Sequence, residues 1–589
     1  MADELLPAKA ATPNAATSDD SFPGLTPEKF EKELQELARQ AKSDTFSKRL
    51  LEQSRLYVRI LVLLAFLGLY SHVSQLNLSP VYGSIPASIW HSKLLIGGCF
   101  LGWAGNTFLR DSLPIPTAKA LPIIAVCIPG VQHLLGAYSK SFGPQLGPVV
   151  TEAFTLLPLA VLTAASAADC WQSVRLSKLP RFVADAGPGI ASWALFKFVE
   201  DKVGSVMPLV VGKFVIFTRL GFEILLSFGY MCLAPSKYLV YTAFPFFHIF
   251  LLNTHVQSPA ATKNLMSSLM TDGWLMIERR ESVTGYLSVL QSMQQGFRVM
   301  RCDHSLLGGE WINHRGGPVS EPIYGVFAML EAVRLAETTP AIADQDAKAL
   351  VIGLGVGTTP SALVAHGINT TVVEYDPVVY EFATRYFDLK ENNPPVLQDA
   401  VGYTAQLANI APATYDYIVH DVFTGGAEPV DLFTLEFFQS LHALLAPRGT
   451  VAINYAGDLS LPAPKIIYRT IKQVFPTCRI FRETPPDAEN IKANKGMDFT
   501  NVVVFCKKSP PTEPLTFRRP TLADYLQSSA RQEYLGLSHE VPESDLLGEG
   551  DDIMRRNETD KVARWHDQSA MGHWGLMRIV IPAFVWEKW

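Results

Sequence analysis

The residues whose types and spacing best suit chemistry begin with a glycine-rich turn. In ALVIGLGVGTTP, the apolar run Ala349–Ile352 comes directly before Gly353, Gly355 and Gly357. Glycine permits a tight turn and lets a ligand lie against the backbone at the positive end of the following helix. A strand, a turn and a helix in this order predict a nucleotide-binding loop, and a tight turn without a ligand is the alternative for this motif alone.

Two acids follow where the next strands should end. Glu374 closes the run TTVVE about 20 residues after the first glycine, where a carboxylate can accept both ribose hydroxyls of a nucleotide. Asp399, in PVLQDA, could accept the amino group of an adenine or could cap a loop, and the sequence leaves both interpretations open. Asp376, before Pro377, is interpreted as a helix N-cap outside the site.

A third acid stands at the position that we expect to be reactive. In YDYIVHDVFTGG, Tyr417–His420 has the pattern of a buried strand, and Asp421 follows at its C-terminal tip. Open α/β sheets bind ligands in the crevice outside these strand ends, so Asp421 is the candidate catalytic residue. Side chains alternate along a strand, so His420 should point to the opposite face and is interpreted as a packed core histidine.

The elements around these motifs predict a small lobe followed by an α/β domain. Trp274–Gln291 and Phe297–Trp311 alternate apolar and polar residues around glycines, which predicts a β-hairpin lobe. From 349 to 507, strand patterns alternate with helix patterns, as in a parallel sheet covered on both faces. A further strand is expected at Thr450–Asn454, and Cys478–Arg482 and Asn501–Cys506 could form a hairpin at the edge of the sheet. The expected α/β fold is a Rossmann-like, seven-strand sheet of the methyltransferase type.

The N-terminal half has the character of an α-helical membrane bundle. Hydrophobic residues make up 48% of the chain and charged residues 18%, an average that fits a membrane region joined to a soluble domain. Six apolar stretches approach the roughly 20 residues that cross a bilayer, with a buried core helix as the alternative for any one of them. They are Leu56–Leu76, Leu94–Leu109, Leu121–Ala137, Val149–Ala168, Val206–Cys232 and Tyr238–Leu252. Ile190–Val203 carries four charges and is interpreted as an interfacial helix.

Basic residues predict the orientation of these spans. Clusters precede the first stretch and separate the fourth from the fifth, and such clusters favour the cytosolic side. They are Arg39, Lys42, Lys48, Arg49, Arg55, Arg175, Lys178, Arg181, Lys197 and Lys202. An even number of spans returns the chain to the same side, so both termini of this multi-pass protein are expected in the cytosol. Within the fifth stretch, Arg219 and Glu223 are four residues apart and could pair on one helical face.

Composition argues against several other classes of protein. The net charge is -6 and no long block of Lys or Arg is present, so no nucleic-acid partner is expected. The seven cysteines are scattered without a metal-ligand spacing, so buried free thiols and no bound metal are expected. Residues 1 to 25 lack the pattern of a signal peptide and are expected to be disordered. The sequence leaves the oligomeric state open.

These patterns divide the chain into five expected regions. A disordered N-terminus and a cytosolic helix (1–55) precede the transmembrane region (56–254). The hairpin lobe with its connecting helix (265–345) and the Rossmann-like nucleotide-binding domain (346–508) follow. A C-terminal extension (509–589) receives no assigned chemistry.

The lobe, the glycine turn, the acidic strand end and the segment YDYIVHD before an apolar helix resemble the spermidine/spermine synthase family over about residues 270–508. The resemblance implies decarboxylated S-adenosylmethionine, or S-adenosylmethionine itself, as the co-substrate. It places Glu374 on the ribose, Asp399 on the adenine and Asp421 beside the attacked carbon. It also places Tyr324, in EPIYGVF, on the substrate side.

The chain departs from this family at the positions that would bind amines. Val356 lies between the last two glycines where the family has an acid, and Thr424, a further substrate-side position, replaces a second acid. Gly325 and Val326 replace the His and Glu that follow the family's tyrosine. The chain therefore keeps the family's nucleotide-binding positions better than its polyamine-binding positions.

Three functions remain compatible with the sequence. The leading hypothesis is a membrane-anchored aminopropyltransferase of polyamine biosynthesis, in which Asp421 positions an attacking amine and takes up its proton. Its acceptor would be a small-molecule amine or an amphipathic molecule reached from the lipid bilayer. The first alternative is an S-adenosylmethionine-dependent methyltransferase, which the missing acids favour. The second is a non-catalytic nucleotide-sensing domain that regulates the membrane bundle.

Overall fold

The computed structural model describes residues 31–32, 35–36, 46–176, 180–314, 317–422, 425–493, 496–508 and 513–589. Within these residues the chain forms a helical N-terminal region, a small antiparallel sheet, a larger mixed sheet covered by helices, and a C-terminal helical segment. The expectation of disorder over residues 1 to 25 lies outside the described residues.

The helical N-terminal region packs around its first long helix. Side chains such as Leu67, Leu159 and Leu226 meet in one fully apolar core. The α-helices are α1 Phe46–Tyr82, α2 Ser84–Ser88, α3 His91–Ala104, α4 Asn106–Ser112, α5 Thr117–Gly136, α6 Ser139–Phe154, α7 Leu156–Gln172, α8 Arg181–Val210, α9 Arg219–Leu233 and α10 Ala243–Leu251.

Three helical segments among the described residues are long and apolar enough to cross a membrane: Lys48–Tyr82, Thr117–Gly136 and Ser139–Gln172. They coincide with the first, third and fourth predicted spans. The second and sixth predicted spans contain α3 and α10, which have 14 and 9 residues and are shorter than the roughly 20 that cross a bilayer.

The fifth predicted span is not one helix, which corrects the sequence interpretation. The chain leaves the helical path after Val210, and α9 starts only at Arg219. Gly212 in this break has φ 78, a left-handed conformation that an α-helix excludes. Its N–H donates to the carbonyl of Phe217 at 2.9 Å, which closes a tight loop.

Two charged sites of the bundle make contacts that the sequence did not indicate. Ile190–Val203 is part of the 30-residue helix α8, whose buried Glu200 accepts a hydrogen bond from Ser71 at 2.6 Å. Arg219 does not pair with Glu223. Its guanidinium instead forms ion pairs with two buried acids of the hairpin lobe, described below.

The hairpin lobe follows helix α11, Pro259–Thr271, and has the expected antiparallel form. Ser258 caps α11 by accepting the N–H of Ala261 at 3.1 Å, with Pro259 at the first helical position. Four strands pair in sequence order, as expected for consecutive hairpins. They are β1 Trp274–Glu281, β2 Tyr286–Ser292, β3 Phe297–Cys302 and β4 Ser305–Trp311.

The larger sheet has eight strands in the order β12-β10-β11-β9-β8-β5-β6-β7. Strands β5 to β9 are parallel, and β11 runs antiparallel between β9 and β10. The strands are β5 Lys348–Ile352, β6 Asn369–Glu374, β7 Val396–Leu397, β8 Tyr415–His420, β9 Leu445–Asp458, β10 Thr477–Arg482, β11 Phe499–Lys507 and β12 Glu540–Val541. All seven expected strands are present, and the two-residue β12 extends one edge.

Helices cover both faces of this sheet, which explains the continuous apolar runs of its central strands. Along β5, Ala349 and Val351 enter one core, whereas Leu350 and Ile352 enter the core on the opposite face. The covering helices are α12 Gly325–Leu330, α13 Thr358–Ala365, α14 Pro377–Tyr386, α15 Ala400–Ile410, α16 Leu435–Leu444, α17 Pro462–Val474 and α18 Ala488–Ala493.

A disulfide joins Cys478 to Cys506, which corrects the expectation of free thiols at these two positions. The two residues lie directly opposite each other on β10 and β11. The sequence indicated both strands but not their register, and the register places the two cysteines opposite each other.

The C-terminal extension folds back between the sheet and the helical region. Trp574 donates its ring N–H to the carbonyl of Val81 at 3.1 Å, and Arg578 donates to the hydroxyl of Ser139 at 2.8 Å. The helices are α19 Ser529–Tyr534, α20 Glu543–Leu547, α21 Asp560–Ala563, α22 His566–Val580 and α23 Ala583–Lys588.

Candidate active site

A cavity of about 1480 Å³ opens at the carboxyl ends of β5, β6 and β8. Every major part of the protein contributes to its wall: Met207 from α8, Thr284 from the lobe and His566 from α22, in addition to the sheet. This is the position at which open α/β sheets bind their ligands. The predicted site residues that line it are Tyr324, Gly353, Gly355, Glu374, Asp399 and Asp421.

The glycine turn has the conformation that the sequence predicted. Gly353, Gly355 and Gly357 have φ values of 88, 56 and 87, in the left-handed region that glycine tolerates. A Cβ atom on Gly353 would lie 2.0 Å from the carbonyl oxygen of Asp421, so this position also requires glycine for packing. Gly357 does not line the cavity described above; it is the N-cap residue of α13.

Glu374 ends β6 beside this turn. Its two carboxylate oxygens accept the N–H of Leu354 at 3.0 Å and the N–H of Asp376 at 2.8 Å. Burial nevertheless raises the pKa of Glu374 to about 7. Each oxygen retains a second lone pair, so the carboxylate is fixed in place and can still accept hydroxyl groups.

Asp399 follows β7 and caps helix α15. Its carboxylate accepts the N–H of Gly402 at 2.9 Å and that of Val401 at 3.3 Å, which matches the capping interpretation. The exposed side chain also lines the cavity, so the capping role and contact with an adenine are compatible. Asp376 caps α14 through the N–H of Val378 at 2.8 Å, as predicted.

Asp421 stands at the end of β8, where the cavity passes the glycine turn. Its oxygen Oδ1 accepts a hydrogen bond from the side-chain amide of Asn454 at 2.8 Å. Burial raises the pKa of Asp421 to about 6, and the bond from Asn454 opposes this rise. The carboxyl group can therefore exchange a proton near neutral pH, which suits a group that acts on a nitrogen.

His420 lies on the opposite face of β8, as predicted. Its ring is fully buried and meets Phe433 edge-on, with 4.8 Å between ring centroids. Burial lowers the pKa of His420 to about 3, so it remains neutral at physiological pH. The packed-core interpretation accounts for these contacts.

Of the predicted substrate-side positions, the structure describes Tyr324 and Val356 but not Thr424. Tyr324 lines the cavity, and burial raises the pKa of its hydroxyl. Thr424 lies outside the described residues. Val356 lies at the position where the synthase family carries an acid, and it is buried, with 5% of its surface exposed. It packs so closely against Gly308 that a Cβ atom on that glycine would lie only 2.8 Å from Cγ2 of Val356. An apolar contact thus replaces an amine-binding acid.

Several cavity residues were absent from the sequence prediction, among them Asn454, Glu428 and His566, and so was Tyr455, which contacts Glu428. Tyr455 donates its hydroxyl to Oε1 of Glu428 at 2.5 Å, and Nε2 of His566 lies 3.0 Å from the other oxygen of that carboxylate. His566 belongs to the extension that received no chemistry, 145 positions after Asp421. No local motif signals such a pairing. The parts of the chain that the structure describes contain no group of three His, Cys, Asp or Glu side chains placed to hold a metal ion.

Comparison with known families and proteins gives two different extents of similarity. A model of the spermine/spermidine synthase domain matches residues 334–494. The polyamine aminopropyltransferase of Vibrio vulnificus is 35% identical over 108 residues, 18% of this chain and 36% of that protein. The N-terminal histidine N-methyltransferase of Emericella nidulans is 43% identical over 547 residues, 90% of this chain and 96% of that protein.

Solved structures resemble the α/β part at low sequence identity. A probable spermidine synthase from Corynebacterium glutamicum is 16% identical and aligns with 48% of this chain and 95% of its own, with a TM-score of 0.37. Human methyltransferase-like protein 13 is 22% identical, with 38% of this chain and 92% of that one covered and a TM-score of 0.27. The identity that extends over nearly the whole chain decides the assignment: this protein belongs to the family of the N-terminal histidine N-methyltransferase of Emericella nidulans.

Proposed function

We propose that the protein transfers a methyl group from S-adenosylmethionine to a nitrogen of a histidine at the N-terminus of a protein acceptor. One observation carries the proposal. The cavity at Asp421 is walled by α8 and α22 as well as by the sheet, and the similarity to the histidine methyltransferase covers 90% of this chain. The synthase domain match, at 334–494, contains neither helix.

The residues present fit the methyl donor. The glycine turn leaves open backbone beside the cavity, Glu374 offers a fixed carboxylate for the ribose, and Asp399 lines the next part of the wall. S-adenosylmethionine supplies a methyl group on a positively charged sulfur that a nitrogen lone pair can attack. The role of the chain is to hold the donor and acceptor in line, which can account for most of the rate.

Asp421 would prepare the acceptor nitrogen. A nitrogen attacks only when it has a free lone pair, so a protonated amine or imidazolium is inert. With a pKa of about 6, Asp421 is mostly ionised at pH 7 and can accept a hydrogen bond from an N–H of the acceptor. Its bond to Asn454 fixes the carboxylate at the strand end, so the acceptor group is held in one orientation for attack.

Aminopropyl transfer is less well supported. A diamine carries two charges at neutral pH, and burying an ammonium without a carboxylate partner costs several kcal/mol. The buried Val356 provides no such partner. The relatives that bear an aminopropyltransferase name match short parts of the chain, 18% and 20%.

A methylation assay tests the proposal. The purified full chain, in detergent, would be mixed with S-adenosylmethionine and a peptide that begins with histidine, and the product would be read by mass spectrometry. A mass increase of one methyl group on the first residue is expected. A peptide that begins with alanine and carries an internal histidine is the control.

Methylation of both peptides, or of neither, would contradict the proposal. The same preparation would receive decarboxylated S-adenosylmethionine with putrescine. We expect no spermidine, whereas rapid formation of spermidine would restore the aminopropyltransferase hypothesis.

The helical region is proposed to anchor this enzyme in a lipid bilayer. Large apolar side chains of this region are unusually exposed: Val215 by 95%, Phe244 by 79% and Phe108 by 72%. Extended exposed apolar surface indicates a membrane or a protein interface. Retention of the protein in membranes after an alkaline carbonate wash is the expected result, and its release would contradict the anchor.

A further inference from the structure

The cavity wall near Asp421 carries several buried polar atoms that have no hydrogen-bond partner among the described residues. They are Oδ1 of Asn454, Oε2 of Glu428, Nε2 of His566 and the hydroxyl of Tyr324. Buried polar atoms in folded proteins are almost always hydrogen-bonded, so a cluster of exceptions that faces a cavity indicates a polar ligand.

Glu428 is the most informative of these groups. Its side chain is only 4% exposed, and one oxygen, Oε1, accepts the hydroxyl of Tyr455 at 2.5 Å. The other oxygen, Oε2, lies 3.0 Å from Nε2 of His566, but the two atoms are not aligned as a hydrogen bond. One side of the carboxylate is thus fixed, while the other is available to the cavity.

The charge of Glu428 specifies what kind of group could bind there. An ionised carboxylate that is removed from water costs several kcal/mol unless a cation with N–H donors approaches it. A ligand ammonium would supply both the charge and up to three donors.

Strand β9 connects this group to the reacting centre. Asn454 and Tyr455 are consecutive residues of β9, with side chains that start from opposite faces; the first holds Asp421 and the second holds Glu428. Both acids line the same cavity. A ligand that meets both acids offers a nitrogen group to each, as the α-amino group and the imidazole of one histidine do.

We infer that Glu428, with Asn454 and His566 beside it, binds the α-ammonium group of the acceptor protein's first residue and thereby places the imidazole of that residue at Asp421. This inference rests on the proposed methylation. An ammonium held by a carboxylate has no lone pair, whereas the imidazole, with an ordinary pKa of about 6.5, is largely neutral at pH 7. The imidazole nitrogen forms the new C–N bond as the C–S bond breaks with its electron pair on sulfur. The imidazolium product then releases its ring N–H proton to the Asp421 carboxylate.

Two peptides and one variant test the subsite. One peptide begins with histidine, and its partner is identical except that the α-amino group is replaced by hydrogen. For the wild type, removal of the amino group should raise KM by about 10- to 100-fold, the value of one hydrogen bond to a charged group. Glu428→Gln should raise KM for the normal peptide by a similar factor and abolish the difference between the two peptides.

Binding provides a readout that does not depend on turnover. Calorimetry in the presence of S-adenosylhomocysteine should show the same loss of peptide affinity for Glu428→Gln, while the nucleotide itself binds as tightly as to the wild type. Glu483→Gln is the matched control. This acid lines the same cavity but already accepts the N–H of Gly325 at 2.8 Å, so discrimination between the peptides should persist.

The outcomes separate this subsite from the proposed function. If the wild type methylates both peptides with equal KM, or if Glu428→Gln still discriminates between them, the subsite is wrong and the methylation stands. A methyl group mapped to the α-nitrogen would also overturn the subsite. If the wild type methylates neither peptide, the proposed function itself fails.

A second variant guards against misfolding of Glu428→Gln, which loss of nucleotide binding would reveal. Tyr455→Phe removes only the hydroxyl that holds Glu428. It should reduce the discrimination between the peptides, but by less than Glu428→Gln does, because the carboxylate itself remains. Full discrimination in Tyr455→Phe would contradict the subsite.

Discussion

Glu374 and Asp421 are both buried acids at strand ends, but they should act at different stages of the reaction. The carboxylate of Glu374 is fixed by two backbone N–H groups beside the glycine turn, so it would hold the donor equally in the ground state and the transition state. Asp421 is held by a single side chain, Asn454, next to the acceptor subsite. Donor affinity should therefore depend on Glu374, and turnover on Asp421.

Glu374→Gln should weaken the binding of S-adenosylmethionine by about 1–3 kcal/mol, because the amide nitrogen cannot accept the N–H and hydroxyl donors that a carboxylate oxygen accepts. Isothermal calorimetry measures this change directly. Glu391→Gln, at an exposed acid that accepts the hydroxyl of Tyr380 at 3.1 Å, should leave the affinity unchanged. Equal donor affinity in Glu374→Gln and the wild type would remove Glu374 from the site.

Asp421→Asn should retain donor binding and lower kcat by about 100- to 10,000-fold, the usual contribution of a general base. The pH profile gives a sharper test. The carboxyl group, with a pKa of about 6, becomes active as it ionises, and the acceptor imidazole becomes active as it loses its proton near pH 6.5. Activity therefore rises with pH for both reasons.

Below about pH 6, log kcat/KM of the wild type should fall with a slope approaching two per pH unit, since two groups take up protons there. The residual activity of Asp421→Asn should fall with a slope of one. A slope of one for both proteins would show that Asp421 does not titrate in the reaction.

The individual residues that sequence could predict are those set by a local motif. The positive φ values of Gly353 and Gly355, and the place of Asp421 at a strand tip, follow from short patterns of residues. Glu428 and His566 carry no such pattern. Their proximity depends on where α22 packs, and only the folded chain shows this.

At the scale of elements, the turn after β8 meets helix α22 so closely that a side chain is excluded. Gly426 has φ 97, and a Cβ there would lie 2.8 Å from Cα of Ala570 and 2.9 Å from Cβ of His573. This contact keeps α22, and with it His566, against the turn that carries Glu428. The extension is therefore part of the acceptor wall and not an appendage.

Gly426→Ala should lower the free energy of unfolding by about 1–3 kcal/mol, because alanine is strained at this φ and its Cβ has no room. Thermal unfolding of the purified chain measures the change, and acceptor affinity should fall with it. Gly575→Ala, in the same helix, meets nothing within 4 Å and should stabilise the chain by up to about 1 kcal/mol through helix propensity. Similar destabilisation of both variants would refute the close contact.

Sequence periodicity predicted the strands of the large sheet and their order better than it predicted the helices of the N-terminal region. Buried strands bounded by glycines and acids have a distinct pattern, so β5, β6 and β8 were placed within two residues of their ends. An apolar helix has no glycine or acid to mark its end when the loop that follows it is also apolar. The break at 211–218 between α8 and α9 was therefore read as continuous helix.

At the scale of the whole molecule, Arg219 joins the helical region to the hairpin lobe. This side chain is 1% exposed; it pairs with Glu281, lies 3.0 Å from Oδ1 of Asp303, and donates to the carbonyl of Leu76 at 2.8 Å. Burial raises the pKa of both acids, and the guanidinium opposes this rise. The two acids that pair with Arg219 lie 62 and 84 positions after it in the sequence.

Arg219→Met should destabilise the full chain by about 3–5 kcal/mol, because two buried acids lose their partner. Thermal unfolding in detergent would show the loss as a lower midpoint. Arg385→Met removes an exposed arginine that pairs with Glu278 and Glu381, and it should change the midpoint little. Equal midpoints for Arg219→Met and the wild type would mean that this pair does not hold the two parts together.

The expected division of the chain into regions was based on changes in composition, which carry no information on where distant segments meet. The start of the lobe was predicted where apolar and polar residues begin to alternate, and the start of the α/β domain where glycines begin to separate the apolar runs. The cavity shared by α8, the sheet and α22 could not be predicted, because none of these three segments carries a sequence motif for a ligand site that includes the other two. Physical proximity of three distant segments creates it.

The bond between Cys478 and Cys506 bears on the compartment in which the α/β domain works. Glutathione and thioredoxin keep cytosolic thiols reduced, so disulfides persist mainly in the secretory pathway and outside the cell. If this pair is oxidised in the cell, the domain faces an oxidising lumen, opposite to the side that the basic residues predicted. Three helical segments among the described residues are long and apolar enough to cross a membrane, and an odd number of crossings permits this arrangement. Alkylation of thiols in intact cells before lysis measures the outcome: we expect both cysteines to resist modification until a reductant is added, whereas free thiols at both positions would place the domain in the cytosol.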